Sequence, residues 1–114
     1  MRNKLQLVVN NKTINKEKFF VKKELKSILN LYAKKVSMGD WKDYGLSINK
    51  REISFNIYQR ASEKPIYRIS KNLSPKRQDE RFYILDRNGN IVKKSDDLET
   101  LIRRVEWTRL KLIK

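Results

Sequence analysis

The spacing of apolar residues changes period twice along this chain, from 3.6 residues to 2 and back. That double switch narrows the folds open to it. Leu25, Ile28, Leu29, Tyr32, Ala33 and Val36 fall on one stripe of a helix from about Val21 to Val36. Lys23, Lys26, Asn30 and Lys34 fall on its other side, and Gly39 is placed to end it. The period then drops to 2. Tyr44, Leu46 and Ile48 alternate, and so do Ile53, Phe55 and Ile57, with turn-length Asn49-Lys50-Arg51-Glu52 between them. Pro65 opens a third strand, Ile66 to Lys71. After a charged loop to Arg81, Arg81–Asp86 and Ile91–Lys94 flank the Asn-Gly turn at Asn88-Gly89.

The helical period returns in Leu98, Leu101, Ile102, Val105 and Leu112. Ser95 or Asp96 is the expected cap of that last helix, with Glu99 three residues past Asp96 as in a capping box. Trp107 lies about half a turn off its apolar stripe. The expected fold is α+β: an antiparallel sheet of four to five strands with two helices packed on one face. Its other face is left to solvent or to a partner. Residues 1–18 read as a short strand, alternating Leu5, Leu7 and Val9, followed by a polar arm. Residues 19–114 read as the single domain that 114 residues allow. The expected core is Leu25, Ile28, Leu29, Tyr32, Ile53, Phe55, Ile57, Leu101, Ile102 and Val105.

Charge and missing residue types set the functional classes. Lys and Arg total 28 against 13 Asp and Glu, a net charge of +15, and the first 36 residues alone hold ten basic and two acidic residues. A charge of that size points to a polyanionic partner. A genome poor in G and C also raises Lys, Ile and Asn together, but it explains Lys better than the 10 Arg. There is no His and no Cys. Thiolate nucleophiles, imidazole bases, disulfides and Cys/His metal sites are therefore excluded. The three Gly form no phosphate-cradling loop. No enzyme activity, catalytic residue, metal or cofactor is expected. No segment approaches the ~18 apolar residues of a membrane span, and the N-terminus lacks a secretory leader pattern. No membrane insertion and a cytoplasmic location are the expectations.

Two stretches are distinctive. One is Gly39-Asp40-Trp41-Lys42-Asp43-Tyr44, preceded by Glu24-Leu25, Ile28-Leu29 and Leu31-Tyr32. The other is Arg60-Ala61-Ser62-Glu63-Lys64-Pro65-Ile66-Tyr67-Arg68-Ile69. Over roughly residues 20 to 112 the chain resembles a family of short alphaproteobacterial proteins classed as a domain of unknown function. The resemblance implies a bacterial cytoplasmic protein and brings no activity with it.

Several features are candidates for function. If Ile53, Phe55 and Ile57 face the core, Tyr58 and Arg60 face outward, as does Arg68 on the next strand. An aromatic ring beside Arg on an open sheet suits unpaired bases and phosphates. The plainer role is a cross-strand pair. Lys22, Lys23, Lys26, Lys34 and Lys35 on the helix suit a phosphate backbone, or make a solvated face. Asp40 and Asp43 bracket Trp41. They are too few for a hard cation and read as caps, with Trp41 plugging the core. Ser62 has only a Lys as a possible base and no Gly nearby to shape an oxyanion hole, and reads as a turn residue. Arg103, Trp107 and Arg109 form an interface candidate, with a second copy of the chain or another macromolecule as partner. The leading expectation is a non-catalytic nucleic-acid-binding module for DNA or RNA, through Lys23, Lys26, Lys34, Tyr58, Arg60 and Arg68. The alternative is an adaptor that binds an acidic protein surface.

Overall fold

The computed structural model describes residues 19–60 and 64–107. The expected Leu5–Val9 strand, the polar arm, Ser62 and Arg109 lie outside them. The element order is α1 (Lys22–Ser37), β1 (Asp43–Ile48), β2 (Glu52–Tyr58), β3 (Tyr67–Asn72), a short 3₁₀ turn (Gln78–Glu80), β4 (Phe82–Asp86), β5 (Ile91–Ser95) and α2 (Leu98–Arg104). The strands pair in sequence order, all antiparallel, as a five-stranded meander. This is the expected α+β architecture.

The strands sit where alternation places them. Leu46, Phe55, Ile69 and Ile84 oppose one another across four strands, and the last three are fully buried. Ile53, Ile57, Tyr67 and Phe82 complete that face of the sheet, and Leu98, Leu101 and Val105 join the same core. Tyr32 on α1 meets the Phe55 and Tyr44 rings edge-on, at 5.7 and 5.2 Å. Both helices therefore cover one face. Trp41 is the expected plug. Its ring is almost wholly buried, between Tyr32 and Tyr67.

α1 begins where Glu24 Oε1 accepts the Val21 N–H at 2.8 Å, closing the first turn. It ends in a Schellman motif. Gly39, at φ +82°, donates its N–H to Val36 O, and Asp40 donates its own to Lys35 O. The apolar contact that usually joins the outer pair of this motif is an ion pair here. Lys35 Nζ lies 3.8 Å from Asp40 Oδ2, both side chains buried. A second buried pair anchors the other end of the helix. Lys71, on the core face of β3, donates from Nζ to Glu24 Oε1 and to Phe19 O, each at 2.9 Å.

These two pairs correct the expected stripe. Glu24, Leu25, Ile28, Leu31, Tyr32 and Lys35 face inward. Leu29 and Val36 remain 41% and 40% exposed, and Ala33 is exposed. The helix is turned by roughly a quarter of a revolution from the apolar stripe, because the lysine at 35 and the glutamate at 24 find buried partners. The exposed Leu29 leaves the expected core list.

α2 also differs from expectation. Its cap is Asp97, whose Oδ2 accepts from Thr100 N and Thr100 Oγ1, at 2.9 and 2.7 Å. Ser95 instead accepts the Asp97 N–H, and Asp96 is exposed. The helix stops at Arg104, since Val105 is extended. Trp107 then folds back against Tyr67 and Trp41, edge-on at 4.8 and 5.5 Å, and donates from Nε1 to Ile102 O. It is half-buried at the rim of the core rather than an exposed anchor, because the chain leaves the helix before reaching it.

Candidate nucleic-acid interface

The sheet face away from the helices follows from the same register. Ser47, Ser54, Ser70, Tyr83 and Lys94 make one row across it, and Gly45, Asn56, Arg68, Leu85 and Ile91 make the next. Small polar residues line its middle. Ser54 and Ser70 share a hydrogen bond of 2.7 Å. Asn56 Nδ2 donates to Ser47 Oγ at 2.8 Å, while its buried Oδ1 has no partner among the described residues. The Ser54, Asn56 and Ser70 side chains at its middle are buried, while Arg68 and Lys94 toward its margins are exposed.

Two tyrosines frame the row. Tyr58 is half-buried and reaches diagonally to Gly45, where an added Cβ would stand 3.8 Å from its ring. Tyr83 crosses β3 and donates from its hydroxyl to Glu52 Oε1 on β2. Burial first, and then that hydrogen bond, push the Tyr83 hydroxyl well above the usual tyrosine range. Glu52 is thereby held inside the face.

Tyr83 also forms the wall of a cleft of about 910 Å³ at one end of the face. Lys50 and Arg51 from the β1–β2 turn, and Lys76 from the loop after β3, line it along with two carboxylates, Glu52 and Glu80. A shallower extension past Tyr83 reaches Lys94 and Ile91. These cations come from segments 25 residues apart and meet only because β2 and β3 are neighbours. Sequence spacing holds no signal for that. Tyr83 did leave one, since it alternates outward between Phe82 and Ile84.

The residues singled out from the sequence fall into two groups. Arg68 is exposed on the open face, Tyr58 lies beside it, and Arg60 is exposed just beyond the end of β2. Lys23, Lys26 and Lys34 are exposed on α1, in the layer that covers the opposite face. The structure does not bring the two groups to one surface. Lys23 instead faces the N-terminus of α2, where its charge helps hold the Asp97 carboxyl below its ordinary range, behind the larger effect of the Thr100 hydrogen bonds. Arg103 is exposed in the last turn of α2. Among the described residues no group of three acidic side chains could hold a metal ion, and no helix is long and apolar enough to cross a membrane.

Residues 18–102 match the model of a family described as "Protein of unknown function (DUF2794)". No curated protein and no solved structure matches the chain.

Proposed function

The chain belongs to that family, whose description assigns no activity, and we propose that it is a small non-catalytic module that binds single-stranded nucleic acid across the open sheet face. One observation carries the reading. The sheet face away from the helices sets Tyr58 and the exposed Arg68 beside a polar row that leads into a cleft rimmed by Lys50, Arg51 and Lys76. Guanidinium and ammonium groups would neutralise phosphates, and the Tyr58 ring offers a surface for one base, worth ~1–3 kcal/mol. The net charge of +15 supplies long-range attraction. The helix lysines Lys23, Lys26 and Lys34 add to that field without touching the same strand. Lacking His and Cys, the chain acts in this reading by binding alone, in the bacterial cytoplasm its sequence resemblance implies.

The test is fluorescence anisotropy with labelled single- and double-stranded oligonucleotides over a salt series. Binding should fall linearly on a log–log salt plot. Tyr58→Ala should weaken single-strand binding more than duplex binding, because only unpaired bases can stack. No binding to either at ~50 mM salt, where electrostatic attraction is strong, would falsify the reading. An adaptor for an acidic protein surface would then take its place, detected by a pull-down that survives nuclease.

A further inference from the structure

The two edges of the sheet are built differently. β5 carries Lys93 and Lys94, and its pairing with β4 slips between Ile84 and Leu85. Bulges and edge lysines are how proteins blunt a strand against pairing with another chain. β1 has neither device. Its register against β2 runs unbroken from Asp43 to Ile48, and it contains no Lys, Arg or Pro. On the helix-covered side of the sheet, Tyr44, Leu46 and Ile48 remain 46%, 45% and 61% exposed.

The backbone of β1 points the same way. Asn49 donates its N–H to Glu52 O at 3.0 Å, which makes residues 49 and 52 a hydrogen-bonded pair. Bonded and non-bonded pairs alternate along an antiparallel ladder. Ser47 and Gly45 therefore use their backbone groups on β2, while Leu46 and Ile48 turn theirs outward. Tyr44 agrees with this phase, since its N–H is taken by the neighbouring Asp43 Oδ1 at 2.8 Å. The residues with exposed apolar side chains are thus also the ones with outward-facing backbone groups.

α1 overhangs this edge. Tyr32 is the helix residue that meets Tyr44. Leu29 and Val36, three before and four after it, share its flank, which explains the apolar surface they leave uncovered. We propose that β1 pairs antiparallel with β1 of a second copy of this chain, about a two-fold axis at Leu46. In that register Leu46 meets Leu46, and Tyr44 of each copy meets Ile48 of the other. All the apolar side chains lie on one face. The outward groups of Leu46 and Ile48 bond across the axis, and the Tyr44 N–H exchanges its Asp43 Oδ1 acceptor for the Ile48 carbonyl of the second copy. A slip by one residue would set Gly45 and Ser47 against apolar neighbours and turn the bonding groups away. The strand is self-complementary, as an isologous contact requires. The strand itself holds no cation, but Lys42 and Lys50 flank it and stand opposite each other in this register, a repulsion that salt relieves.

The test uses the whole nuclease-treated chain. Sedimentation equilibrium should show a dimer in the micromolar range, strengthened by salt because screening relieves the repulsion between two basic copies. Salt weakens nucleic-acid binding instead, so failure of either proposal can be told from failure of the other. Leu46→Lys sets two ammonium groups face to face on the axis. It should be monomeric with an unchanged circular dichroism spectrum. The chain has no cysteine of its own. Leu46→Cys should therefore give a single interchain disulfide on mild oxidation, since bonded pairs stand ~5.5 Å apart between Cα atoms, within disulfide reach. Lys93→Cys, at the same row of β5, should not. A full chain that stays monomeric, or equal cross-linking at both edges, overturns the proposal; a monomer would mean that something else covers β1.

Discussion

Lys71 is a lysine in a core strand, 3% exposed, and it is held there by two acceptors. Its ammonium lies 6.0 Å from the Phe82 ring centre as well. A buried charge is tolerated only when its partners stay in place. Glu24→Ala removes one partner and also the cap on Val21, and is expected to cost about 3–5 kcal/mol in urea denaturation. Replacing both members together, as Lys71→Met with Glu24→Gln, should recover most of that loss, because no uncompensated charge remains. Full destabilisation of the double variant would show that the pair itself stabilises the fold. Tyr83 gives a residue-scale prediction in pH. Burial and the Glu52 bond favour its neutral form, so its pKa is raised in the folded chain. An unfolded tyrosine ionises near ~10. The stabilisation is therefore complete below that pH and is lost as pH rises above it. Tyr83→Phe should flatten this alkaline decline relative to the native chain, measured by denaturation at about pH 9 to 11.

At the scale of elements, the rotation of α1 separates two neighbouring residues. Ile28 is wholly buried and Leu29 is 41% exposed. Ile28→Ala should cost ~2–5 kcal/mol, whereas Leu29→Ala should stay within about 1 kcal/mol when melted as a monomer. Equal losses would restore the stripe read from the sequence. For α2, Asp97→Ala should cost about 1 kcal/mol. The Thr100 bonds lower the Asp97 pKa, so that contribution is present above about pH 4 and fades as pH falls below it. Strands were the most legible elements, since a period of 2 over Ile53–Ile57 or Phe82–Ile84 has one reading. The helix face was not, because two overlapping apolar stripes run along α1. The choice between them rests on Lys35 and Lys71 being buried, and a lysine in a sequence carries no mark of burial. Outward-facing Tyr58 and Arg68 followed from the alternation. The cleft cations did not, because Lys50 and Lys76 meet only through strand order. The end of α2 also escaped, as neither Gly nor Pro marks it, and the aromatic contacts of Trp107 compete with the helical period.

At the scale of the whole molecule, the basic residues divide between two layers. Arg68 stands on the open sheet face with Lys50, Arg51 and Lys76 at its end. Lys23, Lys26 and Lys34 stand on α1, behind the sheet. A single strand lying across the open face touches only the first group. The second acts through the field, which a Debye length of about 10 Å at 0.1 M salt largely screens. The two groups should therefore differ in salt dependence. Arg51→Ala with Lys76→Ala should lower the slope of log affinity against log salt by roughly 0.7 for each single-strand phosphate left without its cation. Lys23, Lys26 and Lys34 changed together to Ala should reduce affinity only at the low-salt end of the series, and leave the slope above ~0.1 M, where the field is screened, nearly as it was. Combining both sets should give additive effects, since residues so far apart share no partner. A helix triple variant whose slope falls as steeply as that of the cleft variant would mean the strand wraps around an edge of the domain. Phosphate tracking would then belong to both layers, and the open face would be only one part of the path.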